Sequence, residues 1–342
     1  MATDDSEFPR PRQATELFGH HAAEAALLDA YRSGRMAHAW LIGGPPGIGK
    51  ATLAYRMARF VLANPNPSAP QVERAASLAV DSEHLVARRI AAQGQGDLLV
   101  LERVINEDTG KLYTVIRVED VRRTVSFFGS TAGEGGWRVC IVDSADELNA
   151  PSANALLKML EEPPPRALFL LVSSAPGRLL PTIRSRCRRL DLRPLATADV
   201  ACAAAAVSGR QPDEADIAAA AMAAEGSVAR ALALLDPDAM ALRRNVAALL
   251  DSLPQPDPRA LHSLGEALTR ADQRTFEAFV DLVNAWLSER LRRGRPDPGR
   301  LARVADAWDT FNRAARDADT YNLDKKPLLF SVFGLLADTA RG

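Results

Sequence analysis

Apolar residues follow two patterns in the first part of the chain. Positions 20–33 carry them at helical spacing, and the apolar run 40–42 follows and ends at two glycines. Helical spacing resumes at Lys50 and continues until an Asn-Pro-Asn-Pro sequence at 64–67 stops it. The pattern predicts a helix, a buried strand, a glycine-rich loop and a second helix, in that order.

Three further short runs, at 98–101, 139–142 and 168–172, are apolar at every position and are separated by helical segments. Continuous apolar runs of this length are typical of strands in a parallel sheet that is covered on both faces. The segment 64–97 is polar and helix-compatible, and it interrupts the alternation, so we interpret it as an insertion. The predicted fold class is α/β with a parallel sheet.

The chain changes character after Pro194. Ala, Leu and Arg dominate at amphipathic spacing without a strand pattern, and breaks fall near Gly226, Pro237 and the proline cluster 254–258. This part is predicted to be helical throughout. We expect three domains, which are a sheet domain at 1–194, a small helical domain at 195–236 and a longer helical bundle at 237–342.

Composition narrows the class of protein. The chain is 47% hydrophobic and 25% charged, and 42 basic and 43 acidic residues leave a net charge of −1. These values are typical of a folded globular protein and argue against one that coats nucleic acid. The cysteines Cys140, Cys187 and Cys202 form no Cys-x-x-Cys pair, which argues against a disulfide framework. Without a secretory signal or an apolar stretch of about 18 residues, we expect a cytoplasmic protein with no membrane contact.

A glycine-rich loop lies between the first strand and the second helix. Its sequence, Gly44-Pro-Pro-Gly47-Ile-Gly49-Lys50, fits the pattern G-x-x-x-x-G-K. Glycines let backbone N–H groups cradle phosphates, the helix N-terminus adds partial positive charge, and the lysine reaches the β and γ phosphates. Gly44, Gly47, Gly49 and Lys50 are therefore predicted to bind ATP or ADP. The alternative is a glycine turn that holds no ligand.

The residues that would hold a magnesium ion are incomplete. Ala51 stands where a Ser or Thr hydroxyl normally coordinates the metal, and Thr52 is turned about 100° further around the helix. Asp143 ends the third apolar run and could bind magnesium through water. We expect weak nucleotide occupancy, and the missing hydroxyl puts magnesium binding in doubt.

The residues after Asp143 lack a base for hydrolysis. Ser144 follows, and a hydroxyl cannot accept a proton from water near neutral pH. Asp146 and Glu147 lie nearby, and we expect them to cap the next helix or to stay solvated. Little hydrolysis is therefore expected at this site.

Two longer segments carry a specific resemblance. Residues 143–164, which include Asn-Ala-Leu-Leu-Lys-Met-Leu-Glu-Glu-Pro-Pro, and residues 180–187, which end in Ser-Arg-Cys, are similar to motifs of bacterial clamp-loader subunits. The chain resembles the AAA+ clamp-loader subunits of DNA polymerase III, in particular the delta-prime family, over residues 15–240. The resemblance implies an AAA+ sheet domain, a helical lid domain and a helical collar domain.

The resemblance also implies that Arg186 is an arginine finger, which acts in trans on the ATP site of a neighbouring subunit. A guanidinium offers a planar, permanently charged set of donors that suits a phosphoryl group in transfer. The alternative is a surface arginine paired with an acid, and Arg184 is expected to be positional. In the lid motif that begins at Gly226, Arg230 falls one place later than in ATPase-active relatives. This shift puts a second phosphate sensor in doubt.

Partners and metals follow from the same resemblance. Many relatives carry a four-cysteine zinc module after the first helix, but residues 64–97 contain no cysteine, so no zinc is expected. The implied partners are the ATPase and delta subunits of the loader and, indirectly, the sliding clamp and primer–template DNA. The last hundred residues would form the collar through which five subunits associate. Arg122 and Arg123 are candidates for contact with DNA phosphates.

These features together predict a clamp-loader subunit of the delta-prime family within the DNA polymerase III holoenzyme. It would help ATP-driven loading of the clamp during DNA replication, lend Arg186 to a neighbour and have little or no ATPase activity of its own. Two alternatives remain open. One is a catalytically active clamp-loader ATPase subunit, and the other is an AAA+ nucleotide-dependent scaffold outside replication.

Overall fold

The computed structural model describes residues 10–106, 112–129, 136–270, 273–293, 298–320 and 324–341. The chain forms two compact units, Met1–Leu232 and Ala233–Gly342. All residues predicted to form a site lie in the first unit. The predicted division of that unit near residue 194, into a sheet domain and a lid domain, stays a prediction.

The first unit is built on a five-stranded sheet. Its strands are β1 Ala39–Gly43, β2 Leu98–Leu101, β3 Arg138–Asp143, β4 Ala167–Ser173 and β5 Arg188–Asp191. They lie in the order β2–β3–β4–β1–β5, and every neighbouring pair is parallel. All residues of the interior strands β1 and β4 are buried, as their unbroken apolar runs predict. The predicted α/β class with a parallel sheet is confirmed.

The apolar pattern does not predict β5. Three of its four residues are exposed, and three are charged. Because β5 is an edge strand that pairs only with β1, much of its surface needs no apolar cover. The Arg188 guanidinium lies 4.7 Å from the ring centroid of Trp40. On this edge strand an arginine side chain packs against the sheet. In an interior strand an aliphatic side chain usually takes that place.

Helices cover both faces of the sheet. Those before residue 236 in the described residues are α1 His21–Arg32, α2 Lys50–Ala63, α3 Pro70–Glu73, α4 Leu85–Ala91, α5 Val118–Gly129, α6 Ala150–Glu161, α7 Pro181–Arg184, α8 Thr197–Ser208, α9 Ala215–Ala223 and α10 Val228–Leu235. Trp40 and Ile42 belong to a buried cluster with α1 and α2, whereas Leu41 belongs to a second cluster with α5 and α6. Alternate residues of β1 therefore supply two separate cores.

The segment 64–97 contains α3 and α4 and is attached by apolar burial. Val72, Leu78, Val86 and Ile90 join the same cluster as α1 and α2. The backbone N–H of Leu78 also donates to Glu24 Oε1 at 3.0 Å. Side chains of the main core therefore hold this segment in place.

The second unit consists of helices. These are α11 Pro237–Asp251, α12 Pro258–Arg270, α13 Gln273–Arg293, α14 Pro298–Thr320 and α15 Lys325–Arg341. Phe279, Phe311 and Phe333 are among its fully buried side chains. In the described part of the chain no strand follows Pro194, as predicted, and no helix is long and apolar enough to cross a bilayer.

Candidate functional site

A cavity of about 690 Å³ lies at the carboxyl ends of β1, β3 and β4. Ligands of open α/β sheets bind at this end of the strands, and cavities of this size suit small molecules. Residues of the glycine-rich loop and the ends of β3 and β4 line one side of the cavity. The remaining lining comes from residues 11 and 13–18, from the first turn of α2, from Leu195, and from α8 and α10.

Four of the five predicted nucleotide-contacting residues line this cavity, namely Gly47, Gly49, Lys50 and Asp143. The fifth, Gly44, is not among its lining residues. The backbone N–H of Gly44 instead donates to Ser173 O at 3.2 Å, so this residue joins the loop to the end of β4. Gly44 therefore supports the loop from the sheet side.

The glycine-rich loop is held against α10. The backbone N–H of Ala229, in the first turn of α10, donates to Gly47 O at 3.2 Å. Gly47 has a φ of +75°, and a Cβ added there would lie 2.2 Å from Ser227 Oγ and 2.7 Å from Ala229 Cβ. Only glycine permits this backbone conformation together with such a close approach. Gly49, at φ +97°, has open space around it.

Lys50 begins α2 and is 5% exposed. Its Nζ donates to Pro45 O at 2.6 Å and to Ser174 Oγ at 3.1 Å. Burial lowers the pKa of the ammonium group, and the nearby carboxylates Asp146 and Asp143 oppose that shift. The lysine is thus a buried cation that lines the cavity, where an anionic ligand would compensate for the hydration it has lost.

Asp143 lies at the end of β3 in a crowded acidic environment. Burial raises the pKa of its carboxyl to about 6, and the charges of Glu102 and Glu147 add to the shift while Lys50 opposes it. The neighbouring Ser144 Oγ donates to Asp146 Oδ2 at 3.2 Å. The hydroxyl after Asp143 is therefore engaged within the chain.

The prediction for Asp146 is wrong. Its carboxylate accepts hydrogen bonds from Ser173 Oγ at 2.7 Å, Ser174 N at 2.5 Å and Ala175 N at 3.3 Å. The side chain that caps α6 belongs to Asn149. Asp146 therefore fixes the end of β4, including the serine that binds Lys50. A chain turn between β3 and α6 brings it there, and no local sequence signal marks it.

Glu147 is also neither a cap nor merely solvated. Its Oε2 pairs with Arg103 Nε at 2.9 Å. Burial raises the pKa of the Glu147 carboxyl, and Arg103 opposes the shift. This pair joins the end of β3 to the segment that follows β2.

The cavity lining includes groups that could hold phosphates. Ala51, at the position where a metal-binding hydroxyl is usual, presents a methyl group, and Thr52 also lines the cavity. Among the described residues no three His, Cys, Asp or Glu side chains are grouped so that they could hold a metal ion. Gly47, Gly49 and Lys50 fit phosphates, while Leu17, Val207 and Leu232 supply apolar lining.

Arg186 lies in the short segment between α7 and β5. Its Nη2 pairs with Glu161 Oε1 at 2.7 Å, and its Nη1 donates to Thr182 O at 3.0 Å. Glu161 is the last residue of α6. The arginine therefore has an acidic partner within its own chain, and its side chain is about one-third exposed.

A family model described as "DNA polymerase III, delta subunit" matches residues 19–196, which are more than half of the chain. The chain belongs to this family. The DNA polymerase III subunit delta' of Pseudomonas aeruginosa is 41% identical over 151 residues, which are 44% of this chain and 42% of that protein. The subunit delta' of Escherichia coli is 34% identical over 169 residues, which are 49% of this chain and 46% of that protein.

The aligned part is less than half of either relative's length. Among solved structures, a DNA polymerase III gamma subunit-related protein from Thermotoga maritima matches at 15% identity. The TM-score is 0.43, over 92% of this chain and 99% of that one. Family membership and the observed sheet confirm the predicted AAA+ α/β domain with helical regions after it.

The predicted lid motif, which begins at Gly226, leads into α10. Ala229 lines the cavity, whereas Arg230 pairs with Glu225 Oε2 at 2.7 Å. A methyl group therefore lies at the cavity, and the Arg230 side chain is half exposed. The role of this segment as a lid stays a prediction.

Sequence reasoning missed the N-terminal wall of the cavity and its anchors. Arg56 Nη1 donates to Thr15 O, and Arg59 Nη2 donates to Arg12 O at 3.0 Å. Both arginines are buried on α2, the helix that the glycine-rich loop opens, and Glu24 pairs with Arg56. The only available signal was two arginines within an otherwise apolar helical segment.

Proposed function

We propose that this chain is a delta-prime clamp-loader subunit that acts on ATP mainly through its neighbour. In this proposal Arg186 stabilises charge on the phosphoryl group in a neighbouring subunit's ATP site, and the chain has little or no ATPase activity of its own. One observation carries the proposal. The Arg186 side chain is 34% exposed, while the chain's own cavity presents Ala51, Ser144 and Ala229.

The cavity itself is proposed to hold ATP or ADP weakly. Gly47, Gly49 and Lys50 would hold the phosphates, whose negative charge would compensate the buried ammonium further. Ala51 offers no oxygen to a magnesium ion, and the hydroxyl of Ser144 is bonded to Asp146. In this proposal Gly47, Gly49 and Lys50 bind and orient the nucleotide, and Ser144, the described residue after Asp143, supplies no base for an attacking water.

The partners follow from family membership and are part of the proposal. They are the ATPase and delta subunits of the DNA polymerase III clamp loader and, indirectly, the sliding clamp and primer–template DNA. We propose that the bundle at 237–342 serves as the collar for assembly, that 195–236 serves as the lid, and that the complex works in the cytoplasm during DNA replication. Support comes from the family match and from the helical second unit.

The test is a clamp loader reconstituted with Arg186→Ala. Clamp- and DNA-stimulated ATP turnover at the neighbouring subunit's site should fall on the order of 10³-fold, as for other arginine fingers. The matched control is Arg189→Ala. Arg189 lies three residues after Arg186, is exposed, and pairs with Asp191 at 3.0 Å. Equal turnover in the Arg186→Ala and control complexes would overturn the proposal.

The intact glycine-rich loop favours a second candidate function, that of an active ATPase subunit. Steady turnover by the isolated chain that Lys50→Ala abolishes would establish it. A scaffold role outside replication would instead show as failure to co-purify with a clamp-loader ATPase subunit.

A further inference from the structure

We infer that Glu161 is the positioning residue for Arg186. This inference rests on the proposed function and deepens it. Glu161 would fix the guanidinium so that its remaining donors are ready for the neighbour's phosphoryl group.

The hydrogen bonds of Arg186 leave one edge of its guanidinium unused. Nη1 donates to Thr182 O at 3.0 Å and approaches Ser185 Oγ at 3.4 Å, and Nη2 pairs with Glu161 Oε1 at 2.7 Å. The contact between Nη2 and Glu161 is an ion pair, and Nε–H makes no hydrogen bond with the described residues. Two partners from different elements, α6 and α7, thus hold one side of the group and leave the other side available.

The location of Glu161 is hard to explain by helix stability. It is the last residue of α6, where the partial negative charge of the helix end disfavours a carboxylate. An adjacent cation offsets this repulsion, and Arg186 is that cation. Glu162 also lies at this helix end, is exposed, and has no ion pair in the described part of the chain.

The exposure of the Arg186–Glu161 pair shows whether its role is to position Arg186 or to stabilise the fold. The Arg186 side chain is 34% exposed and that of Glu161 is 48% exposed. Exposed ion pairs contribute little to folding, because water solvates both charges when the pair is broken. The pair can still restrict the rotamers of a long, flexible side chain, and such restriction raises turnover when geometry is limiting.

The experiment uses the reconstituted clamp loader with Glu161→Gln, Arg186→Ala, the double variant and the control Glu162→Gln. Glu161→Gln keeps the shape of the side chain and removes its charge. We expect kcat for clamp- and DNA-stimulated ATP turnover to fall about three- to fivefold, with KM unchanged. In the Arg186→Ala background the same substitution should have no further effect, because its action passes through the guanidinium.

A second readout is the melting temperature of the isolated chain. It should agree within about 2 °C between Glu161→Gln and Glu162→Gln, and a selective loss of folding in Glu161→Gln would overturn the inference. Unchanged or raised turnover in Glu161→Gln would also overturn it, as would an equal fall in the Arg186→Ala background. If Arg186→Ala alone has no effect, the proposed function fails and this inference fails with it.

Discussion

Two arginine–glutamate pairs in the first unit have similar N···O distances and different surroundings. Arg56 Nε lies 2.5 Å from Glu24 Oε1, and Arg186 Nη2 lies 2.7 Å from Glu161 Oε1. The side chains of the first pair are 9% and 7% exposed, and those of the second are 34% and 48% exposed. Burial, and not distance, therefore distinguishes the two regions.

The buried pair is structural. Arg56 also binds Thr15 O on the cavity wall, and Glu24 accepts from Leu78 N of the 64–97 segment. Removing either side chain would leave the other as a buried charge without a counter-charge. In the exposed pair, Arg186 can exchange the Glu161 carboxylate for another anion at little cost, because water solvates both groups when they separate. The same two residue types thus stabilise the cavity wall in one region and keep a guanidinium accessible in the other.

The largest effect is expected from Glu24→Gln. It leaves the buried Arg56 without a counter-charge, so the free energy of unfolding should fall by about 3–5 kcal/mol. Urea denaturation of the isolated chain measures this change. A loss no larger than that of Glu161→Gln would remove the contrast between the two pairs.

The next largest effect is a difference in stability between Gly47→Ala and Gly49→Ala. Gly47→Ala places a Cβ 2.2 Å from Ser227 Oγ, whereas Gly49→Ala meets open space, and both residues have positive φ. Backbone strain is therefore shared, and the unfolding free energy should fall by about 2 kcal/mol more for Gly47→Ala. Paired thermal denaturation decides this, and equal losses would mean that α10 does not pack on the loop.

A smaller, pH-dependent effect is expected at Asp143. Burial raises its pKa from 3.8 to about 6, so the carboxyl favours folding when protonated, and this contribution is lost as pH rises from 3.8 through 6. Asp143→Asn should therefore stabilise the chain by about 1–2 kcal/mol at pH 8, because partial exposure offsets some of the cost. The gain should vanish below pH 4. Urea titrations in EDTA at both pH values measure it, and a gain that is equal at both would contradict this account.

The smallest change in stability is expected from Glu161→Gln. With both partners exposed, the unfolding free energy should change by less than about 1 kcal/mol. A loss of about 3 kcal/mol in the same urea assay would show that the exposed pair is structural as well.

Much of this organisation was determined by the sequence alone. Four strands follow from apolar runs, the glycine-rich loop from its spacing, and the helical second unit from amphipathic periodicity, because each signal is local to a few consecutive residues. The same local chemistry identified Gly47, Gly49, Lys50 and Asp143, which share one cavity.

Only the tertiary structure decided the rest. It shows β5 as a charged edge strand, Asp146 as the acceptor that fixes the end of β4, and Arg56 as an anchor of the cavity wall. It also pairs Arg186 with Glu161, 25 positions earlier. These roles depend on contacts between residues far apart in the chain and on burial, and neither has a periodicity or a spacing that a linear pattern can reveal.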